Sequence, residues 1–443
     1  MATQALNRSS RATVKMVGTT CPIVFKTRTP GYHFCGYYDV SPLDATGVRL
    51  LTHRVKEFMR MPKPDDVVEL GWWDITTGHY QPIAETRAYN WQQGSKLQWL
   101  GPDFASRVIF NDREDGQFVA RIVDVATGAT RTLDTPIYTV HPNGRSAVCT
   151  NFERSYFSRP SYSYSGVVNR YWDVPLHPED GLVRLDLETG ARDQIISTLE
   201  MAEHQPLSSM SGAPHYLEHA MYNGDGSRFV FLHRWRLPSG ATYDRAFTAA
   251  DDGSGLHLLL DSGLFSHCGW RTPNELTAWA TPPNLTGALR RSGRLTKTVL
   301  KRLLPLYRRL LSPQNRLRKA ITGANYLHLT DRGGGRRVLA PGVAWPGDGH
   351  CTWNPVDRRW MITDSYEDEA SFRWLLLYDH HEKKVREVAR FFSPPRAAGT
   401  GFRCDLHPRW DRQGKRIIVD SMHEGEARQV YVLDVSEMLN DGA

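Results

Sequence analysis

The sequence predicts an all-β fold, a seven-bladed β-propeller with a basic helical insertion in blade 5. Runs of about five residues rich in Val, Ile, Phe, Tyr and Trp alternate with Gly, Asp, Asn and Pro turns, as short strands do. Seven similar units of about 45–60 residues, each with about four such runs, follow one another along the 443-residue chain. A histidine opens each of the last four units at one register. An array of β-sandwiches is the alternative, and the even spacing disfavours it.

The first three blades are predicted over residues 33–86, 88–135 and 136–198. Each contains a strand that ends in the turn pattern Asp-x-x-x-Gly, which is typical of a tight connection between antiparallel strands. Blade 3 also carries a long loop around residues 155–178.

Blades 4 to 7 are predicted to begin at the four recurring histidines, His219, His267, His350 and His407. Residues 21–27 are apolar and β-prone, so we expect them to add the last strand to blade 7 and close the ring. The propeller is therefore predicted to span residues 21–443, after a flexible N-terminal tail of residues 1–20.

The net charge of +7 is concentrated in one segment. Residues 290–319 contain eleven Lys and Arg, and residues 276–330 contain no Asp or Glu, so the rest of the chain is net negative. This distribution argues against nucleic-acid binding by the body of the protein. No apolar run reaches the roughly 18–20 residues that span a bilayer, and the N-terminus lacks the apolar region of a secretory signal. The six cysteines form no CxxC pair, which favours reduced thiols and a cytoplasmic location.

The recurring histidines are candidate metal ligands. The innermost strand of each propeller blade lines the central channel, so side chains at the start of that strand meet at the channel mouth. Converging neutral imidazoles suit a divalent transition metal such as Mn, Zn, Fe or Ni. In the alternative interpretation, each histidine ends a strand by hydrogen bonding to backbone.

Blade 7 adds polar groups to this predicted mouth. Residues Arg403, Asp405 and His407 alternate, which places them on one face of a strand. That face predicts an anion-binding guanidinium and a carboxylate at the metal, and a structural Arg–Asp pair is the alternative. The tryptophans that follow two of the histidines, Trp353 and Trp410, are candidates for stacking on a sugar ring.

Candidate catalytic groups come from blades 1 to 4. Basic residues stand at similar places near the end of the second strand, where they could face the mouth and bind a carboxylate or move a proton. At the start of blade 1, a histidine and a tyrosine could supply further acid or base groups. The alternatives are charged residues leaving a strand into solvent and ordinary packing at a blade edge. The candidates are His33, Tyr38, His53, Arg54, Arg113, His233 and Arg234.

The repeat turns and the mouth histidines resemble those of a known family. The turn Tyr222-Asn-Gly-Asp-Gly226 is the clearest copy of the degenerate Ser-Pro-Asp-Gly turn of TolB-like propellers. Together with histidines followed by an aromatic residue and a polar turn, it resembles the cytoplasmic oligogalacturonate lyases of that group over most of the chain. The resemblance implies a manganese ion held by three histidines and a glutamine. By position, His267, His350 and His407 match the histidines, while Arg403 and Asp405 stand where the strand carries no glutamine.

The resemblance also implies a reaction, the cleavage of a uronate-containing oligosaccharide by metal-assisted β-elimination. The C5 proton of a uronate lies α to a carboxylate, and metal and arginine must neutralise that carboxylate before a side chain can remove the proton. The alternative is a non-enzymatic propeller, a glycan-binding or interaction platform at a membrane surface.

The insertion in blade 5 supplies the membrane hypothesis. Residues 286–323 carry leucines at helical spacing among the basic residues of segment 290–319, as in an amphipathic helix that binds an anionic membrane surface. This interpretation predicts a peripheral location at the inner membrane face. A helical flap over the propeller is the alternative.

Deleting residues 286–323 tests this hypothesis. Each basic residue near an anionic lipid surface contributes roughly 1 kcal/mol, so we expect the intact chain to co-sediment with anionic liposomes at low salt. Binding should weaken at high salt because charges are screened over roughly 10 Å at 0.1 M. Absence of binding at low salt, or binding that survives the deletion, would show that the segment is a flap or a protein-binding element.

Overall fold

The computed structural model describes residues 17–56, 59–171, 173–237, 240–282, 323–425 and 427–440. Its strands form seven separate antiparallel sheets that follow one another along the chain, which confirms the predicted seven-bladed β-propeller. Two short strands come first, β1 (Val17–Thr19) and β2 (Ile23–Lys26), and both pair with sheets formed at the other end of the sequence.

The first three blades each contain four antiparallel strands in sequence order. Blade 1 consists of β3 (Tyr32–Phe34), β4 (Arg49–Val55), β5 (Val68–Asp74) and β6 (Tyr80–Thr86). Blade 2 consists of β7 (Gln98–Trp99), β8 (Arg107–Glu114), β9 (Gln117–Asp124) and β10 (Thr130–Leu133). Blade 3 consists of β11 (Thr139–Val140), β12 (Ser146–Cys149), β13 (Gly181–Asp186) and β14 (Arg192–Ser197).

The last four blades repeat this order. Blade 4 consists of β15 (His215–Tyr222), β16 (Arg228–Arg236), β17 (Thr242–Ala250) and β18 (His257–Asp261). Blade 5 consists of β19 (Phe265–Thr272), β20 (Glu275–Ala280), β21 (Asn325–Thr330) and β22 (Arg336–Val338). Blade 6 consists of β23 (Thr352–Trp353), β24 (Trp360–Asp364), β25 (Phe372–Asp379) and β26 (Lys384–Phe392). Blade 7 consists of β27 (Arg409–Trp410), β28 (Arg416–Ser421) and β29 (Gln429–Asp434), and β2 completes it.

The N-terminal segment closes the ring. Strand β2 pairs with β29 and becomes the outer strand of blade 7, as the apolar pattern of residues 21–27 predicts. Strand β1 lies within the predicted tail of residues 1–20 and pairs with β26 as a fifth strand of blade 6. Residues 1–16 lie outside the described residues. The predicted insertion falls between β20 and β21, and its residues 286–322 also lie outside them.

Short helices sit in the connections between strands. Helix α1 (Phe152–Ser158) follows β12, helix α2 (Thr198–Glu203) follows β14, and helix α3 (Ser436–Asn440) follows β29. The Asn151 side chain accepts a hydrogen bond from the Arg154 amide and caps α1, as Asn does at helix N-termini. A 3₁₀ turn, Pro160–Tyr162, continues from α1 in the long loop of blade 3. Among the described residues, no helix combines the length and apolar character that crossing a membrane requires.

The tryptophans of the repeat join neighbouring blades. The Trp353 indole nitrogen donates to the Thr277 hydroxyl at 3.2 Å, and that of Trp410 donates to the Thr352 carbonyl at 3.1 Å. Both tryptophans are 5% exposed. The prediction that they stack on sugar rings is therefore wrong, because burial between blades leaves no face for a sugar.

Removing one side chain of the closing strand should measure how much the closure stabilises the protein. Phe25 on β2 is buried, with its ring centroid 5.9 Å from that of Trp73. Because Phe25→Ala leaves a cavity between blades 7 and 1, we expect a loss of about 3 kcal/mol in the free energy of unfolding. The matched control is Val24→Ala, because Val24 is 46% exposed on the same strand. Equal shifts of the urea midpoint in the two variants would contradict a stabilising role for this strand.

Candidate metal centre

Three of the four recurring histidines meet at the axis of the propeller. The ring centroids of His267 and His350 lie 3.9 Å apart, and those of His350 and His407 lie 4.3 Å apart. These residues come from blades 5, 6 and 7, which are consecutive around the ring. His350 and His407 are almost completely buried.

Each of the three imidazoles is held by its Nδ1 atom. Nδ1 of His267 lies 3.0 Å from the Asp348 carboxylate, and Nδ1 of His350 lies 2.9 Å from that of Asp364. Nδ1 of His407 lies 3.0 Å from the carbonyl oxygen of Gly36. All three partners accept hydrogen bonds, so the proton belongs on Nδ1 and the lone pair on Nε2. This is the arrangement that positions metal-ligating histidines in proteins.

The Nε2 atoms of His350 and His407 are buried and have no hydrogen-bond partner among the described residues. Burial lowers the pKa of both imidazoles, which are therefore neutral near pH 7 and in the form that binds metals. A buried lone pair without a partner is costly, so these two atoms fit a site for a cation.

Asp405 adds a carboxylate to the two imidazoles. Ligand atoms of His350, Asp405 and His407 all lie within 4.8 Å of one another. The carboxylate also pairs with Arg373 at 2.7 Å and Arg403 at 2.9 Å. Burial alone would raise its pKa, but the two guanidinium groups hold the pKa of Asp405 at about 2. It is therefore an anion throughout the physiological range, and the predicted alternation of Arg403, Asp405 and His407 brings all three together.

His219 lies apart from the other three histidines. Its ring contacts Tyr37 at 5.6 Å, Tyr162 at 6.0 Å and Tyr138 at 6.5 Å between centroids. Its Nδ1 lies 3.6 Å from the Glu218 carboxylate and has no hydrogen-bond partner among the described residues. Burial lowers the pKa of His219 to about 3, against the opposing effect of Glu218. The prediction that His219 joins the other histidines as a metal ligand is not met.

Two tyrosines fill the space between the histidines. The Tyr37 ring contacts those of His219, His350 and His407, with centroids 5.2–6.1 Å apart. The predicted catalytic residue Tyr38 lies 5.0 Å from His350, but its hydroxyl exchanges hydrogen bonds with the Cys268 backbone at 3.0 Å. Tyr38 is thus beside the cluster, with its hydroxyl occupied. The buried Tyr37 hydroxyl has no partner among the described residues, and burial raises its pKa well above 10.

The predicted catalytic residues of blades 1 and 2 have structural partners away from the cluster. His33 packs on Trp73 and Tyr80, and burial lowers its pKa to about 3. His53 bonds the Phe34 carbonyl at 3.2 Å and the Ser95 hydroxyl at 2.9 Å. The structure does not bring these two predicted catalytic residues to the cluster, because both imidazoles lie inside the blade rather than at its mouth.

The two predicted arginines of these blades are also structural. Arg54 pairs with Glu69 at 2.7 Å, and Arg113 donates to the Pro64 carbonyl at 2.7 Å. Neither contacts the histidine cluster among the described residues, so the structure does not bring these two predicted catalytic residues to it. Their common position near a strand end reflects the ordinary placement of charged residues where a strand reaches a loop.

The blade 4 pair is buried in two separate networks. His233 lies between His215, at 2.7 Å, and Arg245, at 3.0 Å. Arg234 pairs with Glu218 and with Asp244 at 2.9 Å. The structure does not bring His233 to the mouth as predicted, because its two ring nitrogens are occupied within the blade. Arg234 approaches the mouth only through Glu218, the neighbour of His219.

The carboxylates that hold the histidines were not predicted from the sequence. Asp348 precedes His350 by two residues in Gly347-Asp-Gly-His350 and binds His267 of the adjacent blade. Asp364 lies at the end of β24, and Gly36 contributes only backbone. An aspartate beside a recurring histidine was the available signal for Asp348. No sequence signal links Asp364 or Gly36 to the histidines, since their contacts form only between blades or across a sheet.

No protein-family model and no curated relative matches this chain. Among solved structures, an oligogalacturonate lyase in complex with manganese has a TM-score of 0.58 and 15% identity, over 96% of this chain and 98% of the other. An oligogalacturonate lyase from Vibrio parahaemolyticus has a TM-score of 0.56 and 13% identity, over 96% of this chain and 100% of the other. At these identities the similarity establishes a common fold, and this chain shares the seven-bladed propeller of the oligogalacturonate lyases.

Proposed function

We propose that this protein is a lyase that cleaves uronate-containing oligosaccharides by β-elimination at the histidine cluster. The observation that carries the proposal is that the three neighbouring imidazoles are each held through Nδ1, by two carboxylates and a carbonyl. The shared fold with lyases, one of them a manganese complex, supports it. The six free cysteines are buried, which supports the proposed cytoplasmic location.

His267, His350, His407 and Asp405 are the proposed ligands of a divalent metal, with Mn²⁺ as the proposed ion. Neutral imidazoles with one carboxylate suit Mn, Fe and Zn. Asp405 takes the fourth place, for which the lyase family has a glutamine. When bound, the ion supplies positive charge that neutralises the substrate carboxylate and makes the adjacent C5–H bond more acidic.

The remaining chemistry falls to side chains around Tyr37. Elimination moves the C5 proton to a base, forms the C4–C5 double bond and breaks the bond from C4 to the glycosidic oxygen, which then takes up a proton. His219 is the proposed base, because its ring lies beside that of Tyr37 and its Nδ1 has no hydrogen-bond partner among the described residues. Tyr37 is the proposed proton donor, because its raised pKa keeps the phenol protonated.

One observation favours a second function. His350 is 1% exposed, and His407 and Asp405 are 0% exposed. Closed sites are typical of structural metals, whereas catalytic metals keep an open position. In this second proposal the ion stabilises a non-enzymatic propeller, a glycan-binding or interaction platform that the basic segment 290–319 holds at a membrane surface.

Metal content tests the ligand assignment. We expect His350→Ala and His407→Ala to lower bound metal by at least about tenfold, since even changes to residues that orient ligands act on that scale. The measurement is elemental analysis after loading with Mn²⁺ and desalting. His79→Ala is the control, because His79 is exposed in a turn of blade 1. Metal content equal to that of the wild type in both cluster variants would show that the ion does not bind at this site.

Activity and metal content should separate in His219→Gln. We expect this variant to retain metal, because His219 lies outside the cluster, and to lose at least about 100-fold in activity, the scale of a lost general base. The assay follows the ultraviolet absorbance of the unsaturated product from galacturonate oligomers. A metal-loaded wild-type protein that yields no unsaturated product from a panel of uronate oligomers would favour the platform instead.

A further inference from the structure

A tyrosine from blade 3 packs against His219 and Tyr37. Tyr162 ends the 3₁₀ turn after α1, and it is 6% exposed. Its ring lies 6.5 Å from that of Tyr37 and 6.0 Å from that of His219. Tyr162 therefore packs against both the proposed base and the proposed proton donor.

Two arginines from different blades hold this tyrosine. The Arg159 guanidinium lies 4.0 Å from the centre of the Tyr162 ring. Arg403 Nη2 donates to the Tyr162 hydroxyl at 2.7 Å. Their side chains are 26% and 15% exposed, so both reach the surface of the mouth. The neutral Tyr162 ring in blade 3 is thus contacted by two cations, Arg159 from the same loop and Arg403 from the segment before blade 7.

Both arginines are anchored on the inner side by a carboxylate. Arg159 Nη1 donates to Glu218 at 2.6 Å, and Arg403 Nε lies 2.9 Å from Asp405. These pairs fix the direction of each guanidinium. The other donors of Arg159 make no hydrogen bond to a described residue, and the Arg403 bond to Tyr162 is to a neutral acceptor. Each arginine therefore keeps a donor that an incoming anion can take.

We propose that Arg159 and Arg403 form a carboxylate-binding site for acidic sugars, and that the bound carboxylate displaces Tyr162. This inference rests on the proposed function and assigns its substrate recognition. Hydrogen bonds between charged partners are roughly twice as strong as neutral ones, so a carboxylate competes well with the phenol for Arg403. Arginine presents a planar fork that matches carboxylate geometry. Displacement of Tyr162 uncovers Tyr37 and His219, so an acidic sugar opens the site that acts on it and a neutral sugar does not.

Calorimetric titration of the full-length protein with trigalacturonate tests the site. EDTA is present to prevent turnover, since the arginine site needs no metal. The methyl ester of the same trimer is the neutral probe. We expect the acid to bind, and the ester to bind at least about tenfold more weakly, because hydrogen bonds to charged groups account for that difference. Equal binding of acid and ester, or no binding of the acid, would overturn the proposal.

Variants identify the residues involved. Arg159→Gln should weaken trigalacturonate binding by about tenfold or more. Tyr162→Phe should bind trigalacturonate as tightly as the wild type or more tightly, because Arg403 then has no hydrogen bond to the Tyr162 hydroxyl to lose. Arg170→Gln is the matched control, because Arg170 lies in the same loop of blade 3 and is mostly exposed, with an ion pair to exposed Glu179. Wild-type affinity in Arg159→Gln, or weaker binding in Tyr162→Phe, would overturn the assignment.

The outcomes separate this site from the lyase function. If binding is specific for the acid and depends on Arg159, but the metal-loaded protein forms no unsaturated product, the carboxylate site is supported and the lyase function is contradicted. If Arg159→Gln still catalyses elimination with an unchanged KM, the lyase function is supported and the carboxylate site is contradicted.

Discussion

The candidate site depends on one buried carboxylate, that of Asp364. One of its oxygens accepts the His350 amide at 2.7 Å and lies 2.9 Å from the His350 ring, and the other accepts the His407 amide at 3.2 Å. A side chain from blade 6 thus fixes backbone from blades 6 and 7 together with one imidazole. Because the backbone of both histidines is held, their lone pairs point to one volume without a cofactor to organise them. Preorganisation of this kind reduces the ordering cost when a ligand binds.

The charges around Asp405 explain how that volume can exist in a protein interior. Burying an ion costs several kcal/mol even after relaxation. Here Asp405 and Glu367 face Arg373 and Arg403, at distances of 2.5–2.9 Å, so two anions balance two cations. Well-packed apolar residues are often at least as stable as such a network, which suggests that the network serves the site rather than stability.

The sequence was sufficient to predict the architecture because the blades follow local rules. Strand alternation, turn residues and repeat length predict seven sheets, and the apolar pattern of residues 21–27 predicts the closing strand. The histidine cluster could also be predicted, because residues at the same position of adjacent repeats lie close together once the blades form a ring. The partners of those histidines could not be predicted, because Asp364 and Gly36 contact them only between blades or across a sheet. A related reason explains why His33, His53 and His233 do not lie at the mouth as predicted. Strand position alone does not show whether a side chain faces the mouth or the blade interior.

The separation of His219 from the other histidines follows from the geometry of the ring. Metal–nitrogen bonds are about 2 Å long, so donors on opposite sides of one ion lie only about 4 Å apart. His350 and His407, from adjacent blades 6 and 7, come near that limit, with ligand atoms within 4.8 Å of one another, and the His267 ring of blade 5 lies 3.9 Å from that of His350. Blade 4 lies one step further round, where Tyr37 stands between His219 and the cluster. The same repeat position therefore yields two imidazoles whose ligand atoms, with that of Asp405, lie within 4.8 Å of one another, a third packed beside them, and a fourth, His219, that stands apart.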